Sequence, residues 1–220
     1  MSIYIRNLEH SVVIPSGKER LNGFLYIPAE AKGIVLFAHG SGSSRFSVRN
    51  QYVAHALNAA NHGTLLFDLL TPEEEVTDIQ TREFRFNINL LVTRLMDASI
   101  WCKKELASEH LTIGFFGSST GGGAALVAAA EKPDLIKAVV SRGGRPDLAG
   151  KHLPKVKAPS LLIVGSKDET VIELNKDAMS HMACKKQLEI VHGASHLFEE
   201  PGTLEEVSNL AIQWFDDYLS

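Results

Sequence analysis

Gly114-Phe-Phe-Gly-Ser-Ser-Thr-Gly-Gly-Gly123 is the stretch that decides how this chain is read. Before it, Leu111-Thr-Ile-Gly-Phe-Phe116 is an apolar, aromatic run of buried-strand length. After it, Ala124-Ala-Leu-Val-Ala-Ala-Ala130 is a strong helix former. The glycines therefore fall at a strand-to-helix turn. Within them, Gly117-Ser-Ser-Thr-Gly121 fits Gly-x-Ser-x-Gly, in which serine takes a strained apex and the flanking glycines let strand and helix cross closely. Such a turn lifts the Ser119 hydroxyl above the sheet edge. It also aims free N–H groups of the first helical turn at the point where an oxyanion would form. A glycine-rich helix start capped by serine would show the same residues, so the rest of the chain must decide.

Working outward, Gly33-Ile-Val-Leu-Phe-Ala38 is a continuous apolar run of the kind buried on both faces of a parallel sheet. Ser11–Ile14 and Leu21–Ile27 read as an antiparallel opening ribbon, joined by a turn at Pro15-Ser-Gly-Lys18. A helix over 49–60, with Tyr52, Val53, Ala56, Leu57 and Ala60 at helical spacing, precedes a strand at Thr64–Asp68. Residues 69–86 read as a surface excursion whose Thr-Pro-Glu-Glu-Glu start could cap a short helix. A long helix over 87–106 leads into the central stretch. Further strands at Leu135–Val140, Pro159–Val164 and Gln187–Val191 follow, with helices over 171–182 and at the end of the chain. Strands alternating with helices imply right-handed crossovers and a doubly wound, mostly parallel α/β sheet, with the ligand site at the carboxyl ends of the strands. Residues 1–220 read as one domain, too small to include a large cap.

The 220 residues are 45% hydrophobic and carry a net charge of −4, with both signs interspersed. That balance gives no nucleic-acid footprint and no polybasic membrane anchor, leaving small molecules as the expected partners. The N-terminal Met1–His10 has no basic region followed by an apolar one, and no run approaches the length of a membrane span, so a cytoplasmic protein is expected. Cys102 and Cys184 are not in a Cys-x-x-Cys pair and read as thiols. The composition leaves the oligomeric state open.

A serine needs a base to take its proton, and the base needs an acid to hold its tautomer. Asp168 follows the strand at Pro159–Val164 in Gly165-Ser-Lys-Asp168, and His196 follows the last strand in Gly193-Ala-Ser-His-Leu-Phe198. Both belong at the same sheet edge as Ser119, in the order Ser, Asp, His that α/β-hydrolases use. His192 is the alternative base. Its spacing from His196 would suit a metal pair, but no third ligand is evident, so no metal and no cofactor are expected. Gly40-Ser-Gly42 with Asp68 imitates a dinucleotide fingerprint, yet Arg45 stands where that motif needs glycine or alanine. A non-catalytic small-molecule binding protein on the same fold is the remaining alternative.

Over nearly its full length the chain resembles an α/β-hydrolase of the dienelactone-hydrolase-like group, and in particular the bacterial hydrolase modules sometimes fused to phosphoribosyltransferases. The residues concerned are His39-Gly-Ser-Gly-Ser-Ser-Arg45, Phe67-Asp-Leu-Leu-Thr-Pro-Glu-Glu-Glu75, Gly117–Gly121, Val140-Ser-Arg-Gly-Gly-Arg-Pro-Asp147, Gly165–Asp168 and Gly193–His196. The resemblance implies an α/β-hydrolase fold with Ser119 as nucleophile, Asp168 as acid and His196 as base. It also implies an oxyanion hole from Thr120 N–H and an N–H of the Ser41/Gly42 turn. The position of Ser119 is cysteine in dienelactone hydrolases proper, and their acidic residue before the oxyanion loop has no match in Leu36-Phe-Ala-His39. The fold and triad therefore carry over, giving an ester-, thioester- or activated-acyl hydrolase, while the dienelactone substrate does not. Arg45, Arg142 and Arg145 fall at the same edge, where they would either cap loops and pair with Glu73, Glu74 and Glu75 or read an anionic substrate.

Overall fold

The computed structural model describes residues 4–219; Met1–Ile3 of the N-terminal stretch read above, and Ser220, lie outside them. Eight strands form one sheet: β1 (Glu9–Ser16), β2 (Glu19–Tyr26), β3 (Gly33–Ala38), β4 (His62–Phe67), β5 (Thr112–Ser118), β6 (Ile136–Arg142), β7 (Ser160–Gly165) and β8 (Lys186–Val191). Their spatial order is β1-β2-β4-β3-β5-β6-β7-β8. β1 pairs antiparallel with β2, and β2 antiparallel with β4; every later pairing is parallel. The sheet is thus mostly parallel with an antiparallel ribbon at its start, and among the described residues no large cap covers it.

Alternate side chains of the central strands go to opposite faces, as strand geometry requires. Ile34, Leu36 and Ala38 of β3 join one core, with Leu91, Leu95 and Cys102 of α3 (Ile88–Glu105) and the alanines of α4 (Thr120–Glu131). Val35 and Phe37 join the other, with Val53 and Leu57 of α1 (Val48–Ala59) and Val207, Trp214 and Phe215 of α6 (Thr203–Tyr218). On α1 the inward face is Asn50, Val53, Ala54 and Leu57, and Tyr52, expected on the stripe, is exposed. Cys102 is buried and Cys184 half-buried, both as free thiols. Among the described residues no helix is long and apolar enough to cross a membrane.

Residues 69–86 form the expected surface excursion, and its Thr-Pro-Glu-Glu-Glu start caps a ten-residue helix, α2 (Pro72–Thr81). Thr71 Oγ1 accepts from Glu74 N–H while Glu74 carboxylate accepts from Thr71 N–H, a reciprocal cap. Its one buried residue is Asp78, which accepts from the N–H groups of Phe84 and Arg85 and from Arg85 Nε. The loop after the helix is therefore wound around a carboxylate instead of an apolar face.

The β5–α4 turn is as tight as its glycines suggest. A Cβ on Gly121 would lie 2.0 Å from the Ala38 carbonyl oxygen, and one on Gly117 would lie 2.6 Å from the Gly121 oxygen. The end of β3, the end of β5 and the first turn of α4 meet with no room for a methyl group. Gly121→Ala is accordingly expected to cost about 3 kcal/mol or more, the upper range for overpacking, read as a lower urea midpoint. An unchanged midpoint would mean that the crossing can loosen freely.

Candidate active site

Ser119 sits at the apex of that turn with φ 51° and ψ −120°, a conformation that a residue bearing a Cβ adopts only under constraint. Its N–H donates to the Arg142 oxygen at 3.2 Å, and its oxygen accepts from the N–H groups of Gly122 and Arg145, both at 3.0 Å. The end of β6 and the loop after it therefore clamp the apex from one side, while the hydroxyl remains half-exposed.

Asp168 and His196 are brought together because β7 and β8 are neighbours and the loops leaving them are laced to each other. Ser166 N–H donates to Val191 O, Lys167 N–H to Ala194 O, and Gly193 N–H to Ser166 Oγ, at 2.9, 3.0 and 2.8 Å. Glu200 then accepts from the Ser195 N–H and hydroxyl, and these bonds, with one from its own backbone, hold its carboxyl down at about 2. On this frame His196 Nδ1 lies 2.5 Å from Asp168 Oδ2. An imidazole whose Nδ1–H is given to a carboxylate keeps Nε2 as its basic nitrogen. His196 and Ser119 line a common pocket of about 240 Å³, with Gly40, Ser41, Ser43, Ser47, Arg49, Asn50, Ser118, Arg142 and Leu197. His192 is exposed and does not line it.

The backbone facing Ser119 across the pocket comes from the turn after β3. His39 is buried there; its Nδ1 bonds Gly40 O at 2.9 Å and its Nε2 accepts from Leu69 N–H at 2.9 Å. That pair of partners needs the neutral ring, and burial lowers its pKa in the same direction, against the weaker pull of the Gly40 bond and of Asp68. His39 is a staple of the turn. Ser41 Oγ meets Thr120 Oγ1 at 3.0 Å and Arg85 O at 3.3 Å, which ties the turn to the first residue of α4 and to the loop beyond α2. Thr120 opens α4, so its N–H has no intrahelical acceptor.

The arginines separate. Arg45 is ion-paired with Asp68, and its guanidinium lies 4.3 Å from the Phe46 ring centroid and 5.1 Å from that of Phe24. Arg145 is bidentate on Asp147, at 2.8 and 2.7 Å. Neither lines the pocket, and neither partner is the Glu73–Glu75 run; Glu74 instead pairs with Arg94. Asp68, the acid of the dinucleotide imitation, is occupied by Arg45 through both its N–H and its side chain. Arg142 does line the pocket. So does Arg49, which pattern reading passed over because it lies off the apolar stripe of α1. Its signal was electrostatic: a cation in the first turn of a helix opposes the macrodipole, and that turn holds no acid. Among the described residues no cluster of His, Cys, Asp and Glu could hold a metal ion.

A family model described as the dienelactone hydrolase family matches residues 21–218. A solved dienelactone hydrolase from Anabaena variabilis ATCC 29413 is 56% identical, covers 97% of this chain and 99% of its own, and superposes with a TM-score of 0.95. A Mycobacterium tuberculosis H37Rv protein, provisionally named a phosphoribosyl transferase, is 53% identical over 96% of this chain but only 47% of its own length. The chain thus spans about half the length of the curated relatives it matches. An esterase of Pyrococcus furiosus, 16% identical with 97% of this chain and 92% of its own covered, gives a TM-score of 0.77, a likeness of fold alone.

Proposed function

The chain belongs to the dienelactone hydrolase family, and from that premise we propose that it is a serine hydrolase cleaving an ester, thioester or other activated acyl bond through an acyl-enzyme. One observation carries this reading: the 2.5 Å bond between His196 Nδ1 and Asp168 Oδ2, beside a serine held at a strained apex. Ser119 Oγ adds to the acyl carbon as His196 Nε2 takes its proton. The resulting oxyanion is received by the N–H of Thr120 and an N–H of the Ser41/Gly42 turn. Collapse of the tetrahedral adduct expels the alcohol or thiol, which takes the proton back from Nε2; water then repeats the sequence in reverse to free the acid. Asp168 orients the ring and stabilises the imidazolium. These steps draw only on side chains and backbone of the chain itself. Phosphoribosyl transfer, in the name of the mycobacterial relatives, is not assigned to this half of their length.

A fluorophosphonate probe tests the reading directly, because it phosphonylates only a serine activated in this way. The expected outcome is a single labelled peptide, modified at Ser119. Labelling elsewhere, or none of the folded protein, would overturn the assignment and favour a binding protein on a hydrolase fold.

A further inference from the structure

Arg142 leaves the end of β6 beside the nucleophile, and its side chain is 7% exposed. Its Nη2 donates to Ser118 Oγ at 3.0 Å and, more weakly, to Asn50 Oδ1 at 3.4 Å; Ser118 Oγ in turn donates to Asn50 Oδ1 at 3.1 Å. The guanidinium lies 6.0 Å from the Phe198 ring centroid, below the loop of His196. Among the described residues no carboxylate pairs with it. The charged neighbour is another cation, Arg49, and burial together with that neighbour brings the guanidinium pKa down to about 10. Asp168 is engaged by His196, and Glu199 pairs with Arg49 at 3.0 Å from an exposed position at the rim.

A buried cation without a counter-charge is costly, and proteins rarely retain one unless something supplies the missing charge. A purely structural Arg142, bracing Ser118 and Asn50, would account for Nη2. It does not account for Nη1, which is buried and has no hydrogen-bond partner among the described residues; Arg49 Nε is in the same condition. A third element points into the same space. α1 begins at Val48 with Ser47 as its cap, and Ser47, Arg49 and Asn50 line the pocket. Asn50 N–H is taken by Ser47 Oγ, while the N–H groups of Val48 and Arg49 have no acceptor within the helix. The buried Asn50 that displaces an aromatic from the inner face of α1 is the residue that orients Arg142.

We propose that the substrate of the triad carries a compact oxyanion, a carboxylate or a phosphate, seated between Arg142, Arg49 and the first turn of α1. This rests on the serine-hydrolase reading and names the substrate class it would serve. The anion supplies the charge that the fold omits. Because Arg142 pairs with Ser118 at the strand ends and accepts from Ser119 N–H, the anion would also fix the acyl carbon over the nucleophile.

The test uses p-nitrophenyl esters of acyl chains of equal length, ending in a carboxylate, a phosphate or a methyl group. In the native enzyme, kcat/KM for the better anionic ester should exceed that for the methyl ester by about tenfold to a hundredfold, the worth of a charge-assisted contact. Arg142→Lys and Arg49→Gln should each shrink that ratio severalfold; Arg49, at the pocket edge with a side chain 35% exposed, keeps the test available if a change at buried Arg142 unfolds the chain. Calorimetric titration of inorganic phosphate and of succinate into Ser119→Ala provides a readout independent of turnover, with binding weakened by adding either arginine change. Preference for phosphate or for carboxylate identifies the group. Labelling of Ser119 without any anionic preference, and without anion binding, overturns the subsite and leaves the hydrolase standing. Anion binding in a protein that neither labels nor hydrolyses overturns the hydrolase and leaves the subsite.

Discussion

Ser119→Ala is expected to lower kcat on an activated ester by about 10⁶, the loss seen when a triad nucleophile is removed and only oxyanion and binding contributions survive. The magnitude follows from there being no substitute. Ser118, the next hydroxyl in the chain, is 5% exposed and bonded to Asn50 and Arg142. Ser41 is committed to Thr120 and to Arg85. The fold should hold, since Ser119 is bound through its backbone to Arg142, Gly122 and Arg145, and alanine bears the same Cβ at the same φ. Steady-state kinetics beside a far-UV circular dichroism spectrum would check both halves. Retention of more than about 1% of turnover in a folded variant would remove Ser119 from the chemistry.

Asp168→Asn is expected to cost about 10⁴ in kcat with the geometry preserved. An asparagine amide presents a donor to Nδ1, so the ring proton is driven to Nε2, where it blocks acceptance of the serine proton. The substitution isolates this effect unusually well. Asp168 stands at the start of α5 (Glu169–His181) but makes no side-chain cap to it, so helix stability is not at stake. Asp168→Ala, which removes the partner without imposing the wrong tautomer, provides the comparison. Wild-type turnover in Asp168→Asn would require another carboxylate behind His196, and the Ser195-bound Glu200 would be the first to replace.

The convergence of Ser119, Asp168 and His196 on one edge was readable from sequence because each is set by the rank of a strand, and strand rank survives errors of a few residues at element ends. Ser119, Asp168 and His196 follow β5, β7 and β8, and once those apolar runs are recognised the three loops must share an edge. Side-chain direction is not set this way. Arg45, Arg142 and Arg145 all lie near that edge, yet tertiary partners decide their roles: Asp68 and two phenylalanine rings hold Arg45, Asp147 holds Arg145, and only Arg142 faces the pocket. α2 was signalled only at its start, for a related reason. Its Val76 and Ile79 are exposed and its buried residue is Asp78, so the apolar period that reveals most helices is inverted, and only the Thr71/Glu74 cap announces it. The ten residues Pro146–Lys155, a kinked 3₁₀ segment broken at Gly150 and containing Pro154, bury Ala149 and Leu153, but the glycine and prolines within them read as loop punctuation.

Two turns into α5, Asn175 is buried and donates from Nδ2 to Gly144 O at 3.1 Å. Gly143, next to it, has φ 51° and lies so close to His196 that an added Cβ would come within 3.5 Å of the ring. One helix therefore begins with the acid in front of the imidazole and, seven residues on, anchors the wall behind it. Since each residue turns an α-helix by about 100°, inserting or deleting one residue between Asp168 and Asn175 would swing the amide away from Gly144 while leaving the acid where it is. Among descendants of this sequence, length should be frozen in the first turns of α5, a record of the site kept in spacing instead of residue identity.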